Sequence, residues 1–411
     1  MPISNPLSRA IEVEIDRSSW RLQPSQFRHP FPTVLARQAG PSSVHLLLML
    51  LRLGELTTPV LTPQSGVARL WPLLRYLHAI ADTPGLRLRS KWKDVDAHQK
   101  AIASDDFGVG LGMTVLDQAF GYSACVDGRE YLYRLAQLGL VAGHNGMPPK
   151  VGTMKMADFA AIDSGGKVHL IECKGTQHSA TALMGAMADG QLQKQSLVCS
   201  SRGAEKRLIG QRLVVGTRLF LETAHRPTQV LIQDPAPVDD TPVMLESRIP
   251  LARLAEPAMR LDVARAIGAA GAERTAVAIA QSDRPPDALA LEGPQQRQRA
   301  QAAFAEDEAG LESFGDYGDS WLGERVIAPL LEPLDLGGET YRYARLVKAV
   351  SKQLLAEIRE AGEATVLFQQ QYPRTAGLMA RTQTIADGLR AAIIRPGISL
   401  TEIVLLRRRN E

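Results

Sequence analysis

The sequence is poor in cysteine, in long apolar runs and in net charge. Three cysteines among 411 residues do not form closely spaced pairs, which excludes a disulfide framework and suits a reducing cytoplasm. The strongest apolar run, residues 46–51, is far shorter than the about twenty residues that span a bilayer, and the N-terminus lacks the pattern of a signal peptide. A net charge of +3 does not by itself indicate a nucleic-acid binder. We therefore expect a cytoplasmic protein with no membrane partner.

The length and composition of the chain predict a globular protein of two or three domains. Hydrophobic residues make up 45% and charged residues 22% of the chain, as in ordinary soluble proteins. Proline and glycine punctuation predicts an N-terminal module over residues 1–108 and a core over 109–235. A mainly helical region is predicted over 236–411, with a linker near 282–296 and a final strand over 401–406.

Residues 157–174 predict a β-hairpin. Apolar β-formers flank a Ser-Gly-Gly turn, and a glycine pair supplies the positive φ that a tight turn requires. Side chains alternate between the two faces of a strand, so Glu172 and Lys174 share one face and Cys173 lies on the other. Asp158 stands near the start of the first strand. Unpaired charges on a buried strand are costly, which indicates that this end of the hairpin carries chemistry.

The residue types at this end suit a hard divalent cation. Carboxylate and carbonyl oxygens are ligands of Mg²⁺ or Mn²⁺, so we expect Asp158 and Glu172 to be side-chain ligands and the backbone carbonyl of Cys173 to be a third ligand. Lys174 would orient or help to deprotonate the attacking water and would offset charge on the phosphate. The expected reaction is metal-dependent hydrolysis of a phosphodiester, with Asp158, Glu172 and Lys174 as catalytic residues.

The spacing of these residues resembles a known motif. Asp158, thirteen intervening residues and an acid-x-Lys triplet beginning at Glu172 resemble the active-site motif of the PD-(D/E)XK nuclease superfamily, although Ala157 replaces the proline of its name. The resemblance covers residues 116–234 and implies an α/β, restriction-endonuclease-like core with a mixed sheet. It also implies a magnesium-dependent nuclease whose expected substrate is DNA in preference to RNA. Its expected role is anti-phage defence or restriction. A homodimer or defence-system proteins are the partners that it suggests.

In that superfamily a helix before the first strand often supplies another acid. Residues 129–138 predict such a helix, and Glu130 would be that catalytic acid. The alternative is that Glu130 only favours the helix N-terminus through the helix dipole. The pair Asp105-Asp106 is a second candidate. It opens a glycine-rich stretch that we interpret as a turn leading into the core and not as a P-loop.

A helix after the second strand is also predicted, over residues 180–198. In one branch of the superfamily this helix carries a Gln-Leu pair whose glutamine meets the active site. Gln191 would occupy that place, although Gln195 stands where that branch has tyrosine. The alternative is a solvated polar helix face.

Two cationic segments predict contact with nucleic acid. Residues 87–93, taken as a strand, would place four cations on one face, suited to a phosphate backbone. The alternative is an exposed edge strand guarded by its charges. A loop before the first core strand carries two lysines that could touch phosphates, or it is simply solvated. The expected contacts are Arg87, Arg89, Lys91, Lys93, Lys150 and Lys155.

The same residues allow other interpretations. Glu172 and Lys174 could form a plain salt bridge at a strand end, in a non-catalytic nucleic-acid-binding or assembly subunit with a nuclease-like fold. An enzyme of another class that acts on nucleotides or RNA is a third hypothesis. A zinc site is disfavoured, because His169 and Cys173 would lie about 13 Å apart on a strand. A nucleophilic Cys173 is disfavoured because it faces away from Lys174.

Overall fold

A computed structural model describes most of the chain. The described residues are 7–21, 28–58, 70–141, 157–191, 197–199, 201–234, 243–280, 302, 304–315, 320–361 and 379–408. The linker predicted near 282–296 lies outside them. Among the described residues, no helix is both long and apolar enough to cross a membrane.

A mixed seven-stranded sheet forms the first half of the protein. Its strands in chain order are β1 (Ser8–Ile15), β2 (Gly40–His45), β3 (Ala124–Asp127), β4 (Phe159–Ile162), β5 (Val168–Thr176), β7 (Ile209–Arg218) and β8 (Gln229–Gln233). They lie in the spatial order β2-β1-β8-β7-β5-β4-β3. β7 runs parallel to β5, and β4 runs antiparallel to both β3 and β5. Two further strands, β6 (Leu197–Cys199) and β9 (Val243–Leu245), form a separate parallel pair. The mixed α/β sheet expected from the sequence is confirmed.

The predicted hairpin is β4 and β5. Phe159 lies opposite Ile171, and the turn places Gly166 at a φ of 79°. The carboxylate of Asp163 accepts hydrogen bonds from the backbone N–H groups of Gly165 and Lys167, at 2.8 and 2.9 Å. The turn is thus closed by its own residues, and both strands emerge where the sequence places them.

Helices cover both faces of the sheet. Those of the first half are α1 (Ser18–Arg21), α2 (Thr33–Ala36), α3 (Leu46–Thr57), α4 (Trp71–Tyr76), α5 (Ala97–Phe120), α6 (Gly128–Gln137), α7 (Ala180–Gln191) and α8 (Arg202–Leu208). α7 ends earlier than the helix predicted over 180–198, because residues 197–199 pair as β6. Asp96 caps the start of α5, where its carboxylate accepts from the N–H of His98 at 2.8 Å, and Gly121, with a φ of 60°, caps its end.

The glycine-rich stretch is part of α5, so its interpretation as a turn is wrong. Glycine is required there by packing, because the helix lies against the sheet. A Cβ on Gly108 would lie 2.9 Å from the carbonyl oxygen of Lys174, and one on Gly112 would lie 3.0 Å from Val215. The close approach of α5 to β5 and β7 therefore depends on residues without side chains.

The boundary expected at residue 108 falls in the middle of α5. In addition, β1 pairs with β8 and β2 pairs with β1, so strands from the N-terminal stretch complete the core sheet. Apolar residues of α3 are buried between α5 and the second half of the protein. The described residues among the first 108 therefore share one hydrophobic core with the hairpin.

The second half is built around an antiparallel sheet, so its prediction as a mainly helical region is wrong. The helices are α9 (Leu251–Ala269), α10 (Glu273–Ala280) and α11 (Lys352–Ala361). The strands are β10 (Glu312–Phe314), β11 (Trp321–Leu336), β12 (Glu339–Ser351), β13 (Met379–Ile385), β14 (Gly388–Arg395) and β15 (Ser399–Leu406), in the order β10-β11-β12-β15-β14-β13. Leu346 and Val350, spaced by four, fit a helix and also one face of a strand, because four is an even number. β15 confirms the predicted final strand.

Buried charges join the two halves. Arg52 on α3 binds the carboxylate of Asp117 at 2.6 Å and that of Glu55 at 3.2 Å. Asp262 on α9 accepts from both Arg265 and Arg395, and thus connects α9 to β14. Arg395 also lies 3.9 Å from the carboxylate of Glu55, which connects β14 to α3 in the first half. We call this group the junction cluster: Arg52, Glu55, Asp117, Asp262, Arg265 and Arg395.

Candidate active site

The open end of the hairpin brings two acids together. Asp158 directly precedes β4, and Glu172 lies on β5 just beyond the last residue that pairs with β4. The carboxylate of Asp158 accepts from the N–H of Cys173 at 2.9 Å, and the carboxylate of Glu172 accepts from the N–H of Asp158 at 3.1 Å. These reciprocal hydrogen bonds fix both side chains against the backbone of the neighbouring strand.

Lys174 completes the predicted group. Its Nζ donates to Oε1 of Glu172, as expected for residues two apart on one face of a strand. The side chain of Glu172 is fully buried, whereas that of Lys174 is 24% exposed. The group therefore meets solvent on the lysine side. We refer to Asp158, Glu172 and Lys174 as the candidate site.

Burial and mutual repulsion perturb the two acids. Burial, followed by the charge of Asp158, raises the pKa of Glu172 to about 8. Burial also raises the pKa of Asp158, although the N–H of Cys173 and the charge of Lys174 oppose that rise. Burial lowers the pKa of Lys174, but the charge of Glu172 and its hydrogen bond outweigh this and leave it above the usual value. The site therefore holds two like charges against one lysine.

A third acid lies beside this group. Asp105, on α5, raises the pKa of both Asp158 and Lys174 through its charge, while burial raises its own pKa. Its neighbour Asp106 is instead the acceptor of the Tyr76 hydroxyl. The sequence contained a signal for this placement: Asp105, Gly108 and Gly112 are spaced as one face of a helix. Local glycine content obscured that spacing.

Glu130 lies in the first turn of α6, as predicted. The N–H of Gly128, at the start of α6, donates to the carbonyl of Asp158 at 2.9 Å, so this helix adjoins the site. Burial raises the pKa of Glu130, and the charges acting on it are those of Arg134, Asp127 and Arg265. Its catalytic role stays a prediction.

Three predicted site residues lie wholly or partly outside the described part of the chain. Gln191 is the last residue of α7, but its side chain is outside the described part of the chain, and Lys150 and Lys155 also lie outside the described residues. Their proposed roles stay predictions.

The four cations of residues 87–93 do not share one face, because this segment is not a strand. Within it, Leu88 alone forms isolated β-bridges, and the residues Ser90–Asp94 form a 3-10 helix. The N–H of Ser90 donates to the carboxylate of Glu222 at 2.7 Å. Arg87 donates to the carbonyl of Ala224 at 2.5 Å and Arg89 to that of Ile80 at 3.2 Å. These two arginines thus hold neighbouring backbone.

The two lysines of this segment are exposed. Lys91 and Lys93 lie on the 3-10 helix with their side chains in solvent. The carbonyl of Lys93 accepts from Nζ of Lys100 at 2.6 Å, which connects the 3-10 helix to the first turn of α5. The carbonyl of Lys100 in turn accepts from Gln177 at 3.0 Å, just after β5 ends. The exposed lysines therefore stand near the end of the strand that carries Lys174.

Backbone geometry adds a third oxygen to the two carboxylates. The N–H and C=O of one strand residue point to the same edge, and the N–H of Cys173 points to Asp158. Its carbonyl therefore faces the same edge, where β4 has ended. Two carboxylates and one carbonyl fit Mg²⁺, which also keeps several waters. Among the described residues, no group of three or more His, Cys, Asp and Glu side chains could hold a metal ion, so the fit depends on two side chains and this carbonyl.

The thiols do not offer an alternative chemistry at this site. All three cysteines are free and buried. Burial, followed by the charges of Asp158 and Glu172, raises the pKa of the Cys173 thiol well above its usual value, which disfavours the reactive thiolate. His169 is buried and contacts the carboxylate of Asp163 at 3.1 Å, at the turn end of the hairpin.

Comparison with known proteins identifies no relative. No protein-family model matches the chain, and neither a curated protein nor a solved structure is significantly similar to it.

Proposed function

We propose that this protein is a metal-dependent nuclease that hydrolyses phosphodiester bonds in DNA. The observation that carries the proposal is the convergence of Asp158, Glu172 and Lys174 at the open end of one hairpin, with the pKa of both carboxyls raised. A bound cation would stabilise the charged forms of two buried acids that repel one another.

The order of elements supports the comparison with the PD-(D/E)XK superfamily. The helix α5 precedes the antiparallel strands β3, β4 and β5, with α6 between β3 and β4. After β5 come α7, β6 and α8, and then β7, which lies parallel to β5. These elements support the proposal, of which the restriction-endonuclease-like core is a part. An anti-phage or restriction role, and a homodimer or defence-system partner, remain proposals that follow from this resemblance alone.

Each residue would have a distinct part in the reaction. Asp158, Glu172 and the carbonyl of Cys173 would hold Mg²⁺ or Mn²⁺, which when bound lowers the pKa of water and stabilises charge on the phosphate. Lys174, whose raised pKa keeps it protonated, would donate a hydrogen bond to the attacking water or to a phosphate oxygen. Asp105 and Asp127, whose charges both raise the pKa of Asp158, are candidates for a further acid.

The substrate would approach along the N-terminal half of α5. Lys91 and Lys93 are exposed there, and eight helical residues, about 12 Å, separate Lys100 from Gly108, which packs on Lys174. A phosphate backbone lying on these lysines would thus lead to the candidate site.

A second candidate function has one observation in its favour. Both carboxylate oxygens of Glu172 already have partners, Lys174 and the N–H of Asp158, as in a structural salt bridge. In a non-catalytic nucleic-acid-binding or assembly subunit, these contacts would be the whole role of Glu172. Such a protein would bind nucleic acid equally well in EDTA and would form no product.

The test is cleavage of plasmid, single-stranded DNA and RNA with Mg²⁺ or Mn²⁺. Lys174→Ala should lower cleavage by at least about 100-fold, because it removes a charge aimed at the reacting phosphate. Lys167→Ala, a lysine at the turn of the same hairpin, is the matched control and should cut normally. Cutting that survives EDTA or Lys174→Ala would contradict the proposal, and a preference for RNA would favour the third hypothesis.

A further inference from the structure

The helix that follows β5 is seated on the sheet by one face. Leu183 and Met187 of α7 are buried against β7, where they leave no room for a side chain at Gly216. Gly190 follows Met187 by three residues and Leu183 by seven, so it lies on the same helix face. Gly190 therefore faces the sheet, and it is buried.

Gly190 meets the candidate site directly. A Cβ at this position would lie 3.0 Å from Cγ of Glu172 and 3.3 Å from Cε of Lys174. Both distances are shorter than ordinary carbon contacts of about 3.5–4.0 Å. The bare backbone of α7 therefore packs against the stems of Glu172 and Lys174. The carboxylate of Glu172 accepts from the N–H of Asp158 and from Nζ of Lys174.

We propose that Gly190 is a positioning residue for the candidate site, holding Glu172 and Lys174 in register with Asp158 by leaving no side chain between helix and strand. This inference rests on the proposed nuclease function. A Cβ at position 190 would crowd both side chains, whereas glycine leaves them room. Because Cγ carries the Glu172 carboxylate, pushing Cγ away moves the oxygens that accept from Asp158 and Lys174.

The same helix supplies a matched control. Gly185 is exposed, and a Cβ there would meet nothing within 4 Å. Gly185→Ala and Gly190→Ala make the same chemical change in one helix. They differ in whether the added methyl group touches the candidate site.

The experiment compares wild type, Gly190→Ala and Gly185→Ala in cleavage kinetics, Mn²⁺ titration calorimetry and thermal unfolding. A displacement of a few tenths of an ångström should lower kcat about 10-fold to 100-fold, because catalysis is sensitive to the position of the reacting groups. We expect weaker Mn²⁺ binding by Gly190→Ala, an unchanged KM for DNA and cooperative unfolding. Gly185→Ala should match wild type in kcat, KM and Mn²⁺ affinity.

Other outcomes separate this inference from the nuclease proposal. Equal kcat and Mn²⁺ affinity for the two alanine variants would overturn the role of Gly190. A Gly190→Ala protein that does not fold would also overturn it, since Gly190 would then serve general packing. If wild type does not cut, the nuclease proposal fails, and a crystal structure of Gly190→Ala decides the inference. Unmoved Glu172 and Lys174 side chains would contradict it.

Discussion

The junction cluster and the candidate site are both buried groups of charge, but they balance their charges differently. In the junction cluster, burial raises the pKa of Glu55, but Arg395 and Arg52 outweigh burial and bring it down to about 2. Burial prevails at Asp117, whose pKa is raised in spite of Arg52. In the candidate site, burial and Asp158 together raise the pKa of Glu172 to about 8.

The two groups differ in how far the cations of the protein compensate the carboxylates. Arginines from α3 and β14 compensate Glu55 within the protein itself. Glu172 faces another acid, and one partly exposed lysine must serve both carboxylates. A buried site with raised carboxyl pKa values is the kind of place where an external cation would bind. The comparison can be tested at both sites.

The largest effect on stability is expected at the junction cluster. Arg395→Met leaves Asp262 buried without one of its cations and should lower the free energy of unfolding by about 3–5 kcal/mol. Arg325→Met, in the same sheet, breaks an exposed pair with Glu312 and should cost about 1 kcal/mol or less. Urea unfolding measures both. Equal losses would mean that the junction cluster holds the halves together no more firmly than a surface pair.

Acid should act on the two sites with opposite sign. The folded pKa of Glu55 is below its usual 4.5, so its stabilisation is present above pH 4.5 and is lost as pH falls to about 2, with about 3 kcal/mol at stake. The folded pKa of Glu172 is above 4.5, so its contribution is present below pH 4.5 and is lost as pH rises to about 8.

The measurement is urea unfolding across pH in EDTA. Glu55→Gln should flatten the loss of stability in acid, and Glu172→Gln should flatten the decline toward pH 8. If each variant retained the slope of wild type, the contrast between the two clusters would be wrong.

The smallest effect concerns the cationic segment. The double variant Lys91→Ala/Lys93→Ala should bind DNA with a weaker salt dependence. The slope of the log binding constant for DNA against log salt concentration should decrease in magnitude by about 2, because each lysine would release about one counterion from the DNA. Lys352→Ala, an exposed lysine on α11, should leave the slope unchanged. Arg87→Ala should instead lower stability, since Arg87 holds the backbone of residues 222 and 224. An unchanged slope in the double variant would remove these lysines from the proposed substrate path.

The hairpin could be predicted because its information is local. The glycine pair, the flanking β-formers and the alternation of side chains lie within eighteen residues, and the structure follows them. The contact between Glu172 and Lys174 follows from the same alternation.

The rest depends on contacts that are distant in sequence. Gly108 resembled a turn residue because its partner, the backbone of Lys174, is sixty-six residues away. Leu346 and Val350 fitted a helix by their spacing, but pairing with β11 on one side and with β15 on the other makes them a strand. The junction cluster joins α3 to β14, more than three hundred residues apart, and no local pattern indicates such a pair.

The most direct test of the central claim is Mn²⁺ titration calorimetry on the metal-free protein. We predict one site for wild type, lost in Asp158→Asn and retained in Lys174→Ala, since that variant removes only the cation that competes for Glu172. Absence of binding by wild type, or binding that Asp158→Asn leaves unchanged, would contradict the assignment of these carboxylates to a catalytic cation.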